Sequence, residues 1–188
     1  MKCLCCGKEF TQKACIEEVE SCWHKKCVKA FFGSSMLPLL DISEETLKRL
    51  ADESTNKGFT VPGVQKKLSL HLTEGTSPRL TRVNYPTGYI LKPQTEEYET
   101  LPEAEYLVMQ MAKLVGIKTV PFALIKMNGQ GELAYITKRI DRVNADGKMQ
   151  MLAMEDFCQL EERLTEDKYK GSYERCAKLI KKYSSMAK

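Results

Sequence analysis

The chain has 188 residues, of which 43% are hydrophobic and 29% charged, with a net charge of +4. That length and mixture fit one domain with an appendage, or two small domains, and exclude wholly disordered and fibrous classes. The charge is too small to argue for nucleic acid by itself, and no apolar run approaches the ~18 residues that span a bilayer.

The opening segment, MKCLCCGKEF, has no apolar stretch of the kind found in a secretory signal, so a cytoplasmic location is expected, with no membrane partner. Six of the eight cysteines fall within the first 27 residues. In a reducing compartment such clustering points to metal rather than disulfides. Cys3 and Cys6 stand at C-x2-C spacing, and His24 and Cys27 at H-x2-C spacing, with seventeen residues between the pairs. Each pair offers two ligands from one tight turn, which is the zinc-ribbon pattern with one histidine. The set is closed and soft, so the expected ion is a structural Zn²⁺, supplying folding energy to a head with little core of its own. Cys5, Cys15 and Cys22 are near enough in sequence to compete for the same role.

Four segments follow from composition: a Cys-rich head at 1–33, a connector at 34–58, a sheet-forming region at 59–142 and a helical segment at 143–188. In the connector, Leu47, Leu50 and Ala51 predict a helix from Glu44 to Ser54, capped by Ser43. Alternation predicts a strand from Lys67 to Leu72, with Leu68, Leu70 and Leu72 on one face. Leu80–Val83 and Tyr89–Lys92 are further short strands. Thr100-Leu101-Pro102-Glu103 reads as a capping box opening a helix. Its inward face is expected to be Ala104, Leu107, Val108, Met111, Ala112 and Val115, and its stop Gly116. Pro121–Met127 and Glu132–Ile140 flank Asn128-Gly129 as a hairpin. Val143–Lys148 reads as a loop, and Met154–Arg163 as a helix. A last helix runs from Tyr173 to Tyr183, with Ser172 as cap and Cys176, Ala177 and Ile180 inward. The expected fold is α+β: a mostly antiparallel sheet with one packed helix, following helices and a small zinc-ribbon-like head.

Two stretches hint at an anion. Gly63 sits in a donor-rich loop, Thr60 to Lys67, that leads into a strand, where backbone N–H groups can approach phosphate. Lys92 follows apolar residues in a strand, and the next helix offers Glu103 and Glu105 in its first turn. A strand lysine paired with a helix glutamate is how protein kinases place ATP phosphates. A surface lysine with its stem on apolar neighbours is the competing reading.

The segments TVPGVQKKLSL from Thr60, GYILKPQT from Gly88, LPEAEYLVMQMAKLVGI from Leu101, GELAYITKRIDR from Gly131, MEDFCQLEERL from Met154 and KYKGSYE from Lys168 are informative together. They resemble the HipA-like serine/threonine kinases, the toxin half of a bacterial toxin–antitoxin pair. The Cys-rich start, ending in WHKKCVKAFFGSS, resembles the head carried by one branch of these proteins. The resemblance implies a kinase N-lobe-like sheet, with Lys92 on the ATP phosphates and Glu105 as its partner, Glu103 ranking second. It implies Gly63, Val64 and Gln65 as phosphate-loop backbone, Lys138 and Ile140 as the segment holding adenine by main-chain groups, and Asp141 as an acid near the ribose. Thr60 matches a loop position that relatives autophosphorylate, while Pro62 replaces a second serine.

The sequence holds no H-x-D, D-x-H-x-x-N or D-F-G motif, so no catalytic residue is assigned, and the lobe carrying the catalytic and Mg²⁺-binding aspartates is expected to lie elsewhere. ATP and Mg²⁺ are therefore expected for the complete kinase, which acts on a protein substrate. This chain is expected to be inactive alone. The competing expectation is a non-catalytic, zinc-bearing module that pairs with a helix-turn-helix antitoxin or a separate kinase half. Arginines and aromatics do not cluster as a nucleic-acid reader needs, so direct nucleic-acid binding is not expected.

Overall fold

In the computed structural model, which describes residues 1–42, 67–73, 75, 77–82, 88–96, 98–127, 131–145 and 148–185, the alternating leucines form a strand as their spacing predicts. The chain divides into two compact units, Met1–Ile140 and Asp141–Lys188. The fold is α+β. Among the described residues no helix is long and apolar enough to cross a membrane. The connector helix, the Gly63 loop and the Asn128-Gly129 turn lie outside the described residues.

The first unit opens with two short helices in the head, α1 (Ile16–Ser21) and α2 (Lys25–Phe32), followed by β1 (Leu39–Asp41). Next come β2 (Leu68–Thr73), β3 (Arg79–Arg82), β4 (Tyr89–Lys92), helix α3 (Leu101–Leu114), β5 (Phe122–Lys126) and β6 (Leu133–Lys138). The six strands form one sheet in the order β1-β3-β2-β4-β6-β5, with β1 parallel to β3 and every other pair antiparallel.

The sheet has a different cover on each face. On one, Leu68, Leu70, Leu80, Tyr89, Leu91, Ala123, Ile125, Ala134 and Ile136 pack against Trp23, Cys27, Val28, Phe31 and Phe32 of the head. The head is thus built into the main core. On the other face, Phe122, Leu124 and Tyr135 pack against Tyr106 and Met109 of α3. Leu4 joins both clusters, because the first cysteine turn passes round the outer side of β5.

Helix α3 corrects two expectations. Thr100 takes a left-handed conformation, φ 55°, with no side-chain cap, so the capping box does not form; Pro102 is buried in the first turn. The apolar stripe also faces outward: Leu107, Val108 and Met111 are 60%, 62% and 57% exposed, and Val115 is 74% exposed. The sheet-facing side carries Glu105, Tyr106, Met109 and Gln110, because that side must serve a lysine and a backbone carbonyl as well as apolar residues. Gly116 ends the helix as expected; its φ of 81° is one that a side chain disfavours.

The second unit also departs from expectation. Residues read as a loop form a hairpin instead, β7 (Arg142–Ala145) with β8 (Lys148–Met151). The Asp146-Gly147 dipeptide is the turn signal for it. Helix α4 is only Phe157–Leu160, capped by Asp156 and followed by Glu162 at φ 57°. A short 3-10 turn, Thr165–Asp167, precedes α5 (Tyr173–Tyr183), whose bounds and Ser172 cap are as predicted. Of its three expected inward residues, Cys176 is half-buried while Ala177 and Ile180 are exposed.

Candidate metal centre and lysine–glutamate pair

The head brings together the four residues that spacing singled out. One ligand atom from each of Cys3, Cys6, His24 and Cys27 lies within 4.8 Å of the other three. Zn–S bonds of about 2.3 Å in a tetrahedron put sulfurs about 3.8 Å apart, so the cluster needs only slight contraction to hold zinc. Three thiols and an imidazole are the soft donor set that Zn²⁺ takes in closed structural sites. The competing cysteines are not in the cluster. Cys22 instead donates to Val19 O at 3.5 Å and to Met1 Sδ at 3.6 Å.

Local chemistry explains the arrangement. In the first turn, Cys3 N–H donates to Lys8 O and Gly7 N–H to Cys3 O, each at 2.9 Å. Gly7 has φ 70°, a backbone conformation that favours glycine, and a Cβ there would meet the Tyr106 hydroxyl at van der Waals distance, 3.4 Å. In the second turn, Glu18 accepts from Cys15 N–H at 3.2 Å and from Lys25 N–H at 2.7 Å. It thereby joins the start of α1 to the start of α2, which carries Cys27. The Lys25 and Cys15 N–H groups hold the Glu18 carboxyl below its ordinary range. Glu18 escaped the sequence reading, although a glutamate three residues after a helix-opening cysteine is a capping-box spacing.

The thiols are tuned unequally. Burial pushes Cys27 up, with the negative charges of Cys5 and Cys3 adding to it. Burial opposes ionisation of Cys6 as well, but hydrogen bonds from the Lys8 backbone and from Cys27 and Cys3 bring it below its ordinary value. Cys6 Sγ is 3.4 Å from His24 Nδ1, and His24 N–H donates to Cys3 Sγ at 3.4 Å. Cys5, outside the cluster, is pushed up to about 11, mainly by burial and then by Cys3.

On the opposite face of the sheet, Lys92 Nζ donates to Glu105 Oε1 at 2.5 Å. Both side chains are about a quarter exposed. Alternation along β4 sends Tyr89 and Leu91 to the head and Lys92 to α3. Lys92 sits opposite Tyr135 in β6, with its ammonium 5.4 Å from that ring. Glu105, rather than Glu103, is the partner; Glu103 keeps one enclosed carboxylate oxygen without a hydrogen bond among the described residues. Burial, with the Glu105 charge, pushes the Tyr135 phenol above its ordinary value.

Lys138 and Ile140 are the other expected nucleotide residues described in this unit. Lys138 directs its ammonium to the head side, 5.8 Å from the Phe31 ring and 6.0 Å from the Tyr89 ring. Burial there lowers its pKa. Its N–H is already taken by Pro121 O at 3.0 Å. Ile140 is exposed. Asp141, in the second unit, is buried and paired with Arg142 at 2.7 Å. Thr60, Gly63, Val64 and Gln65 lie outside the described residues.

A strand lysine held by a helix glutamate, on a mostly antiparallel sheet with one packed helix, is the arrangement of a protein-kinase small lobe. Residues 59–188 match the family described as HipA-like C-terminal domain, and the chain belongs to that family. It is 28% identical over 131 residues to a protein named "Putative kinase" from Haemophilus influenzae, covering 66% of this chain and 37% of that protein. It is 30% identical over 132 residues to "Putative kinase Y4mE" from Sinorhizobium fredii, covering 68% and 31%. The chain thus spans about a third of the length of the curated relatives it matches.

Proposed function

We propose that this chain is the ATP-covering portion of a HipA-like protein serine/threonine kinase, with a zinc-bearing head that braces its sheet. The Lys92–Glu105 pair carries this reading. Glu105 fixes the lysine ammonium on one side of the sheet, where it is oriented to meet the phosphates of a nucleotide. Zinc in the head supplies a cross-link between two turns, and Cys3, Cys6, His24 and Cys27 are the residues that would hold it.

The chemistry stops at binding. No aspartate here sits in a catalytic-loop or Mg²⁺-binding motif, so phosphoryl transfer needs residues outside this sequence. On the same reading the complete kinase phosphorylates a protein hydroxyl, as the toxin of a toxin–antitoxin pair. Family membership supports that role.

Titration of the zinc-loaded chain with MgATP, followed by calorimetry, tests the proposal. Binding is expected, and Lys92→Ala weakens it about tenfold or more, the loss of a charge-assisted hydrogen bond. Equal affinity in the wild type and Lys92→Ala would remove Lys92 from the site.

A further inference from the structure

We propose that Tyr106 and Gln110 are positioning residues that make nucleotide binding at Lys92 responsive to metal in the head. The inference rests on the nucleotide reading above and extends it to the control of that site.

The physical link is the first cysteine turn. Cys3 and Cys6 flank Leu4 and Cys5, so a metal ion shared by the two sulfurs fixes the peptide between them. Leu4 is held from both directions: its N–H donates to Cys22 O at 2.8 Å, and its carbonyl accepts from Leu124 N–H at 2.9 Å. The next carbonyl, that of Cys5, points to α3. It accepts from the Tyr106 hydroxyl at 3.2 Å and from Gln110 Nε2 at 3.5 Å, and Gln110 also donates to the Tyr106 oxygen at 2.8 Å. Burial pushes the Tyr106 phenol up to about 12, so it remains a donor at physiological pH. Its ring stands edge-on to Phe122, with centroids 5.6 Å apart.

Tyr106 is the residue after Glu105, which holds Lys92. Three bonded contacts therefore connect the metal ligands to the nucleotide lysine: the Cys3–Cys6 turn to α3, the turn of α3 to Glu105, and Glu105 to Lys92. With the sulfurs unlinked, the Cys5 carbonyl can turn away, and α3 loses its polar anchor on that side. What then holds the sheet side of α3 is the packing of Tyr106 and Met109 on Phe122, Leu124 and Tyr135, together with the Glu105–Lys92 pair. Coupling of this kind is reciprocal: a factor by which metal tightens nucleotide is the factor by which nucleotide tightens metal.

The test compares three samples of the full chain: zinc-loaded wild type, zinc-depleted wild type, and zinc-loaded Tyr106→Phe/Gln110→Ala. Amide hydrogen exchange is read across residues 105–114, and MgATP affinity in parallel. Cobalt substitution, with its thiolate charge-transfer band, checks that the double variant keeps an intact metal site. Zinc depletion is expected to speed exchange and weaken ATP binding by about fivefold or more, the effect of losing a net hydrogen bond. The loaded double variant is expected to do the same with its cobalt spectrum unchanged. Chelator competition is expected to show ATP tightening zinc in the wild type and not in the variant. Exchange and affinity within twofold of wild type in the loaded double variant would overturn the proposal, even if zinc depletion unfolds the head. Absence of ATP binding in all three samples would overturn the nucleotide reading, while the exchange data still decide whether the clamp exists.

Discussion

Stripping metal from the head will destabilise the sheet as well as the head. Val28, Phe31 and Phe32 are all buried in the main core, and the Phe31 and Phe32 rings lie 6.0 and 5.5 Å from Tyr89 of β4. Burying an apolar side chain contributes about 1.5–3 kcal/mol, so these three contribute about 5–9 kcal/mol. A compact denatured state trims that by about 10–40%. The remainder is still comparable with a whole domain's stability of about 5–15 kcal/mol. Trp23 makes the assay simple. It is the single tryptophan of the chain and is 1% exposed, packed against Phe31 and Phe32. Urea unfolding is followed by Trp23 emission and by far-ultraviolet circular dichroism, with and without a zinc chelator. With a slope of about 1–3 kcal/mol per molar, the midpoint of the chelated sample falls by about 2 M or more, by both signals. If Trp23 becomes exposed while the sheet midpoint moves by less than about 0.5 M, the head is an independent appendage and the reasoning fails.

The orientation of α3 is tested by contrast: Leu107→Ser and Met111→Ser will each change stability by less than about 0.5 kcal/mol, whereas Leu70→Ala, in the core, will cost about 2–5 kcal/mol in the same thermal or urea melts. Gly7→Ala places a Cβ near Tyr106 at φ 70° and will cost about 1–2 kcal/mol, read as weaker zinc retention in chelator competition. In the second unit, Asp156→Ala will cost about 1 kcal/mol, because it removes the acceptor of Gln159 N–H at 2.9 Å and the partner of Lys168 at 2.7 Å. Lys168, and then the Gln159 N–H, hold the Asp156 carboxyl below its ordinary value. Its contribution is therefore complete above about pH 4 and fades as pH falls through the lower folded value, so acid melts of wild type and variant will converge.

The metal cluster was legible because tight turns with two ligands leave a fixed spacing in the sequence. Lys92 and the first turn of α3 were legible too, since strand alternation and helix position are local properties. What the sequence hid was direction. Leu107, Val108 and Met111 recur at helical spacing, and such a stripe ordinarily faces inward. Here the sheet side must satisfy Lys92 and the Cys5 carbonyl, and those partners come from distant parts of the chain. Glu105, Tyr106 and Gln110 therefore turn inward, and the apolar stripe turns out. The clamp at Tyr106 left no local signal, since its partner lies 101 residues away. The β7–β8 hairpin is a different case: Asp146-Gly147 is a local signal that the loop reading passed over.

The course of the first cysteine turn round β5 has a further consequence. Among the described residues strand β5 ends the sheet order, and an outermost strand offers unpaired N–H and C=O groups to any other chain. Leu4 takes the outward N–H of Leu124, and the Lys126 ammonium reaches Glu20 O at 2.8 Å, so the head covers that border at two points. Cysteine oxidation or zinc loss in the head would reopen it. Metal held by Cys3, Cys6, His24 and Cys27 would thus guard this edge against strand-to-strand aggregation, and a zinc-poor preparation of this protein is expected to precipitate rather than merely loosen.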